Sequence, residues 1–370
     1  MTLFFELIQV ALGQRSELSR VPSEGEWLSL LSEARRQALT GILFGGVEQL
    51  PPSQRPPEEL LFQWLVLVQD IEDRNAKLDS RCLMLLRKFE EVGLRVTILK
   101  GRGIARLYGP MANRRQCGDI DLFVDGGLEN ALRKMPKVKK NVWGYKHVEL
   151  QIWKDTEVEM HYHVECINSI RRNRRLQKWF EAHKEDLFHR DGEWVTPTLE
   201  MNLFYILLHI YRHFFYQGIG LRQMVDYYYC LKAAFAGGDG RLPGASAGYH
   251  VEAVRAFGME RFAHGLMWAM GEVLALPREW MPWTPDEQEG RFILEQMMAG
   301  GNLGLHTVEE TGRQAVRPSA PPRKKHRTLH RALHLMRRYP EEAFPLPFWA
   351  VYNRTWKLVH WLRLLITYNR

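Results

Sequence analysis

Two aspartates one residue apart, Asp119 and Asp121, run into the apolar stretch Leu122-Phe123-Val124. On a strand, the period of two sets both carboxylates on one face and turns Ile120 and Leu122 into a core. Carboxylates so close repel each other unless a cation lies between them. Hard divalent ions such as Mg²⁺ take oxygen ligands from one or two carboxylates together with substrate phosphates. The spacing therefore suits metal-assisted phosphate chemistry, although a solvated acidic turn at a strand start would carry the same two residues. Without metal, removing one of the two charges is expected to raise the melting temperature.

The surroundings favour the metal. Upstream, LRVTILKG is short, β-branched and apolar, and it ends in Lys100-Gly101 before a helix expected at 102–109. Glycine there lets backbone approach a ligand, the helix start offers free N–H groups to a phosphate, and the lysine adds a point charge. Downstream, EVEMHYHV reads as a strand that sets Glu157, Glu159, His161 and His163 on one face. A zinc site on His161 and His163 alone lacks a third nitrogen or sulfur ligand. Arg114 and Arg115 stand four or five residues before the acids, where a guanidinium could reach a triphosphate. His209 and His213 lie one helical turn apart, as do Arg222 and Asp226 on the next helix. An inward Arg222–Asp226 pair would either position a substrate or tie helices together.

The elements that must position these residues can be read along the chain. WLSLLSEARRQALTGILFGGVEQL predicts one helix with Gly45-Gly46 near its end. A long helix is expected from about Pro57 to Val92, and strands at 94–101, 119–124, 145–153 and 157–164, in an antiparallel or mixed sheet. From Thr198 the pattern is helical again, with two buried helices joined by Gly218-Ile219-Gly220 and the tyrosines 227–229 in the core. The expected organisation is an N-terminal helical region (1–92), an α/β core (93–197), a helical domain (198–307), a flexible basic linker (308–327) and a C-terminal helical segment (328–370). The fold class is thus α+β, a small mixed-sheet core flanked by helices.

Composition bounds the rest. At 370 residues, 45% hydrophobic and 25% charged, the chain is long enough for a hydrophobic core without disulfides and is no disordered or collagen-like polymer. A net charge of +8 favours anionic partners. Nine Lys or Arg and no acid lie between Gly312 and Pro340, among them Arg323, Lys324, Lys325 and Arg327. A second basic cluster is Arg171, Arg172, Arg174 and Arg175. Both are solvated faces or contacts to a nucleic acid. The four scattered cysteines form no CxxC pair, and no apolar run reaches membrane-spanning length, so a cytoplasmic protein with no membrane span is expected.

The stretch 96–124 resembles the nucleotidyltransferases of the DNA polymerase beta superfamily, and most closely the branch known as uncharacterised nucleotidyltransferases. The resemblance rests on Leu99-Lys100-Gly101, Leu107-Tyr108, an arginine, and GDIDL at 118–122, with weaker similarity outside 95–230. Where many members have Gly-Gly or Gly-Ser, this chain has Lys100-Gly101. The branch's acid–hydrophobe–His pattern is matched by Glu159-Met160-His161, which implies Glu159 as the third metal ligand and His161 as a site residue. The branch's G-h-G-h-R-Q-hh-D run is matched at 218–226, which includes Arg222 and Asp226.

The resemblance implies Mg²⁺ or Mn²⁺ held by Asp119, Asp121 and Glu159, with an NTP as substrate. Lys100, Gly101, Arg114 and Arg115 would neutralise its phosphates. An NMP would pass to an acceptor hydroxyl with loss of pyrophosphate. The acceptor stays open among a small molecule, a protein and an RNA. Two rivals stand beside this expectation: a kinase-like phosphotransferase on the same metals, which lacks a kinase or P-loop motif here, and a non-catalytic RNA-binding protein on the same fold.

Overall fold

The computed structural model describes residues 2–134, 140–216, 218–236, 248–300 and 333–368. In chain order the main elements are α1 (Thr2–Ala11), α2 (Glu24–Arg36), α3 (Thr40–Gln49), α4 (Glu58–Glu91), β1 (Val96–Ile98), α5 (Arg102–Ala105), β2 (Ile120–Val124), α6 (Gly127–Lys134), β3 (Lys140–Trp143), β4 (His147–Leu150), β5 (Val158–His161), α7 (Ile170–Ala182), β6 (His189–Asp191), β7 (Trp194–Thr196), α8 (Leu199–Tyr216), α9 (Leu221–Phe235), α10 (Tyr249–Ala256), α11 (Glu260–Leu274) and α12 (Glu287–Gly300). A short helix (Pro340–Ala343) and a C-terminal helix (Leu346–Tyr368) follow. The fold is α+β. The expected basic linker 308–327, with Arg323, Lys324, Lys325 and Arg327, lies outside the described residues.

The chain divides into two compact units. One comprises Met1–Lys77, Ile104–Cys117 and Asn202–Ser319; the other comprises Leu78–Gly103, Gly118–Met201 and Ala320–Arg370. The first is helical. Its α2 starts in a capping box, Ser23 accepting from the Glu26 amide while Glu26 reaches back to the cap. The single helix expected across 27–50 is two, because the chain turns at Gln37–Leu39, where Ala38 takes a left-handed φ of 55°. Gln37 then accepts from the Leu221 amide, and the Thr40 amide donates to Gln116. Apolar positions keep their period on both sides of the turn, so the pattern conceals it. Gly45-Gly46 lies inside α3 rather than at its end. A Cβ on Gly46 would stand 2.9 Å from the Leu7 carbonyl, so the glycine sets how closely α1 and α3 approach.

The second unit holds a mixed sheet in the order β1-β2-β5-β4-β3, together with the β6–β7 hairpin. β2 and β5 run parallel, and the other neighbours are antiparallel. All five residues of β2 are buried. Ile120, Leu122, Val158, Met160, Val148 and Leu150 form a dry apolar layer on one side of the sheet. That layer fixes the register, since a slip of one residue would put Asp121 where Leu122 belongs. The strands are shorter than the sequence pattern suggested. β5 ends at His161, and the helix expected at 102–109 is one turn of α-helix followed by a 3₁₀ stretch over Arg106–Arg114.

Candidate functional site

The face of the sheet opposite the apolar layer carries the chemistry. Register places Asp121, Glu159 and Glu149 in one row across β2, β5 and β4, and Phe123, His161 and His147 in the next. Asp119, just ahead of β2, joins the first row: Asp119, Asp121 and Glu159 bring one oxygen each within 4.8 Å of one another. Lys100, at the end of the chain leaving β1, lies 2.9 Å from Asp121 Oδ2 and 3.7 Å from Asp119 Oδ2. Gly101 follows at a φ of 58°, a left-handed turn that favours glycine; a Cβ there would meet the Asp119 carbonyl at 3.6 Å, an ordinary contact, so the turn rather than crowding calls for glycine.

His161 is fully buried, its Nε2 2.9 Å from Asp121 Oδ1 and 3.2 Å from Glu159 Oε2. Asp121 thus meets an ammonium with one oxygen and an imidazole with the other. Burial pushes its carboxyl up, but the Lys100 charge and the His161 hydrogen bond outweigh this and hold it below the ordinary aspartate range. Glu159 follows the same logic: burial raises it, and His161, His147 and Lys100 together hold it well below the usual carboxylate range. Both are therefore ionised at neutral pH. Because Lys100 and His161 compensate Asp121, the expectation that removing this charge would stabilise the metal-free protein is reversed. A variant lacking it leaves an ammonium and an imidazole short of their partner.

Three carboxylates around a single lysine form a cluster whose donor set, oxygen only, fits Mg²⁺ or Mn²⁺. Asp119, Asp121 and Glu159 are the residues that would hold the ion.

His147 was not singled out in the sequence. Its Nδ1 lies 3.1 Å from Glu159 Oε2 but out of line for a hydrogen bond, and it is buried with no hydrogen-bond partner among the described residues. Burial, with the neighbouring His161, pushes the His147 imidazole down to about 4, so it is neutral at pH 7. Conversely, His163 leaves the row because the strand ends before it. Its ring stacks on Tyr145 at 4.3 Å and bonds the Tyr145 carbonyl. Glu157 is exposed ahead of β5, and its backbone carbonyl accepts from Ile120.

The remaining predicted residues form other groups, all in the first unit. Arg115 is buried and grips Asp226 with both ends of its fork, at 2.6 Å and 2.6 Å, while the Tyr108 hydroxyl donates to the same carboxylate at 2.6 Å. Arg222, expected to pair with Asp226, adds its positive charge beside the same carboxylate. The planar guanidinium of Arg115 matches the carboxylate bidentately, and Arg222 also donates to the Gln116 carbonyl at 2.8 Å. Arg114 is held by Glu48 and, at 3.0 Å, by Glu72. His209 and His213 stand with ring centroids 4.3 Å apart on α8.

A mixed sheet bearing a D-h-D pair and a third acid on the adjacent parallel strand defines the architecture. The chain belongs to the family described as uncharacterised nucleotidyltransferases, which it matches over residues 23–275. No curated protein and no solved structure matches it. Among the described residues, no helix is long and apolar enough to cross a membrane.

Proposed function

We propose that the chain moves an NMP from an NTP to an acceptor hydroxyl with release of pyrophosphate, on the sheet face that bears Asp119, Asp121 and Glu159. The observation that carries this reading is the pairing of Asp121 with Glu159 on parallel strands, with Asp119 and Lys100 gathered onto the same carboxylates. A Mg²⁺ or Mn²⁺ ion held by these oxygens would supply Lewis acidity toward the α-phosphoryl group and the acceptor hydroxyl. Lys100 neutralises phosphate charge as the bond to pyrophosphate breaks, and the left-handed turn at Gly101 lets phosphate oxygens approach backbone. Asp121, ionised and locked by His161, holds its geometry without reorganising during the reaction.

Among acceptor classes, an RNA is the one for which the second unit carries matching charge. Arg171, Arg174, Arg175 and Lys178 are exposed along one face of α7, at i, i+3, i+4 and i+7, beside a groove of about 390 Å³. Four buried free thiols support a reducing, cytoplasmic setting.

Incubation of the purified protein with α- and γ-labelled NTPs, Mg²⁺ and host lysate tests the reading. Label from the α position is expected on an acceptor, with γ-label in pyrophosphate. Transfer of γ-label, leaving nucleoside diphosphate, would replace this reading with a phosphotransferase, and no transfer of either label would leave a binding protein.

A further inference from the structure

The two histidines beside the carboxylates are in excess of what an oxygen-bound Mg²⁺ requires. His147 Nδ1 and His161 Nε2 stand 3.1 and 3.2 Å from one and the same atom, Glu159 Oε2. A divalent ion with bonds of about 2.0–2.2 Å sets neighbouring ligand atoms roughly 2.9–3.5 Å apart, so both separations match the edges of a coordination polyhedron. The set is contiguous in the sheet, since His147 pairs with His161 and Glu159 lies two residues before His161 on the same face. All three donor atoms fall within 4.8 Å of one another. Asp121 Oδ1, 2.9 Å from His161 Nε2, stands at the border of the set, and an ion on that nitrogen would displace to solvent the proton the two share. Lys100 approaches from the other oxygen of Asp121. The His147 nitrogen is buried with no hydrogen bond among the described residues. A buried ring nitrogen that lies beside a carboxylate without a hydrogen bond to it is open to a ligand.

We propose that His147, His161 and Glu159 form a binding site for a Zn²⁺-class divalent ion, separate from the oxygen-only position of Asp119 and Asp121 and sharing Glu159 with it. Two imidazoles and one carboxylate are a three-ligand set that leaves further positions for water or substrate, as open zinc sites do. Imidazole nitrogen favours Zn²⁺, Fe²⁺ or Co²⁺ over Mg²⁺, which dehydrates reluctantly and prefers oxygen. The zinc site that His161 and His163 could not complete is completed by His147, brought in from the neighbouring strand. This site does not depend on nucleotidyl transfer being the reaction.

The test uses the full chain stripped with EDTA, titrated with Co²⁺ as a coloured stand-in for Zn²⁺ in the presence of excess Mg²⁺. We expect one equivalent of Co²⁺ to develop the intense visible bands of low-coordinate cobalt and Zn²⁺ to bleach them. His147→Gln should weaken Co²⁺ binding at least about a hundredfold, the upper end of what loss of a mere supporting residue does, while His163→Gln leaves it unchanged. Zn²⁺ X-ray absorption on the wild-type protein should show outer-shell scattering from imidazole, and this decides the matter even where a histidine variant fails to fold. Absence of the bands, their loss to excess Mg²⁺, equal affinity in His147→Gln, or a zinc shell without imidazole overturns the site. Pyrophosphate release with Mg²⁺ is measured in parallel. Its loss with the cobalt bands intact sinks the nucleotidyl transfer reading alone, and the reverse sinks the zinc site alone.

Discussion

Asp121 and Asp226 are both buried aspartates held ionised, against the penalty of burial, by a nearby cation and hydrogen bonds. What surrounds them differs. Asp226 meets two nitrogens of the Arg115 fork, the Tyr108 hydroxyl and the nearby Arg222 charge, so its own charge is met within the group. Asp121 shares its neighbourhood with Asp119 and Glu159 against one lysine, and two ring nitrogens nearby, His147 Nδ1 and His161 Nδ1, lack hydrogen bonds among the described residues. A balanced group is what a fold needs in order to bury charge. A group with surplus negative charge and idle donor atoms is what a ligand needs, and the fold tolerates it only where something else completes it.

The sharpest way to break this comparison is Asp119→Asn. Asp119 is the most exposed of the three acids, its side chain 40% accessible, so the fold should shift by no more than about 0.5 kcal/mol. Metal-dependent pyrophosphate release should fall about a thousandfold, roughly 4 kcal/mol of barrier. Near wild-type turnover would remove Asp119 from the site. Asp226→Asn should do the opposite: strip a buried arginine of its partner, destabilise by about 3–5 kcal/mol in denaturant titration, and leave metal affinity of the folded protein unchanged. A mild effect on stability with lost metal binding would show that the balanced group is not merely structural.

Glu159→Gln sharpens the contrast within one strand. Turnover should drop about a hundredfold, while Glu157→Gln, exposed and outside the cluster, should stay within about twofold. A reversal would mean that the β5 register differs from the one described.

The smallest effect is in pH. His163 and His147 are both pushed down to about 4 by burial, below the ordinary value of about 6.5. A histidine depressed in the folded state binds its proton more readily when unfolded. Its stabilisation is therefore whole above about pH 6.5 and is lost as pH falls toward 4. Melting temperature should decline across that window, and His163→Gln should remove about half of the decline. An unchanged slope in the variant would place the titrating group elsewhere.

The site's acids were readable because their spacing is local. A period of two on a short apolar run sets Asp119 and Asp121 together, and Glu159-Met160-His161 repeats the device. His147 was not readable, because an alternating segment predicts a strand but not which neighbour it pairs with or at what offset, and only the pairing with His161 brings it in. The burial of Arg115 was hidden for the same reason. Its partner lies 111 residues away, and nothing near it in sequence announces burial. The turn between α2 and α3 hid behind an unbroken apolar period, with an alanine where a glycine would have signalled it. Fold class is a property of local patterns, whereas sites assemble from distant ones.

The two rows on the sheet also determine where the chain can change length. Because acids and rings alternate with the apolar layer residue by residue, inserting or deleting one residue within Ile120–Val124 or Val158–His161 exchanges carboxylates for core side chains in a single step. The connection from Leu150 to Val158 lies outside this alternation, tied where Arg81 meets Trp153, Asp155 and Thr156 and where the Glu157 carbonyl accepts from Ile120, but with no core side chain to exchange for a carboxylate. Length variation among descendants of this chain is therefore expected to gather in that connection, and the two acid-bearing strands to pass it on intact.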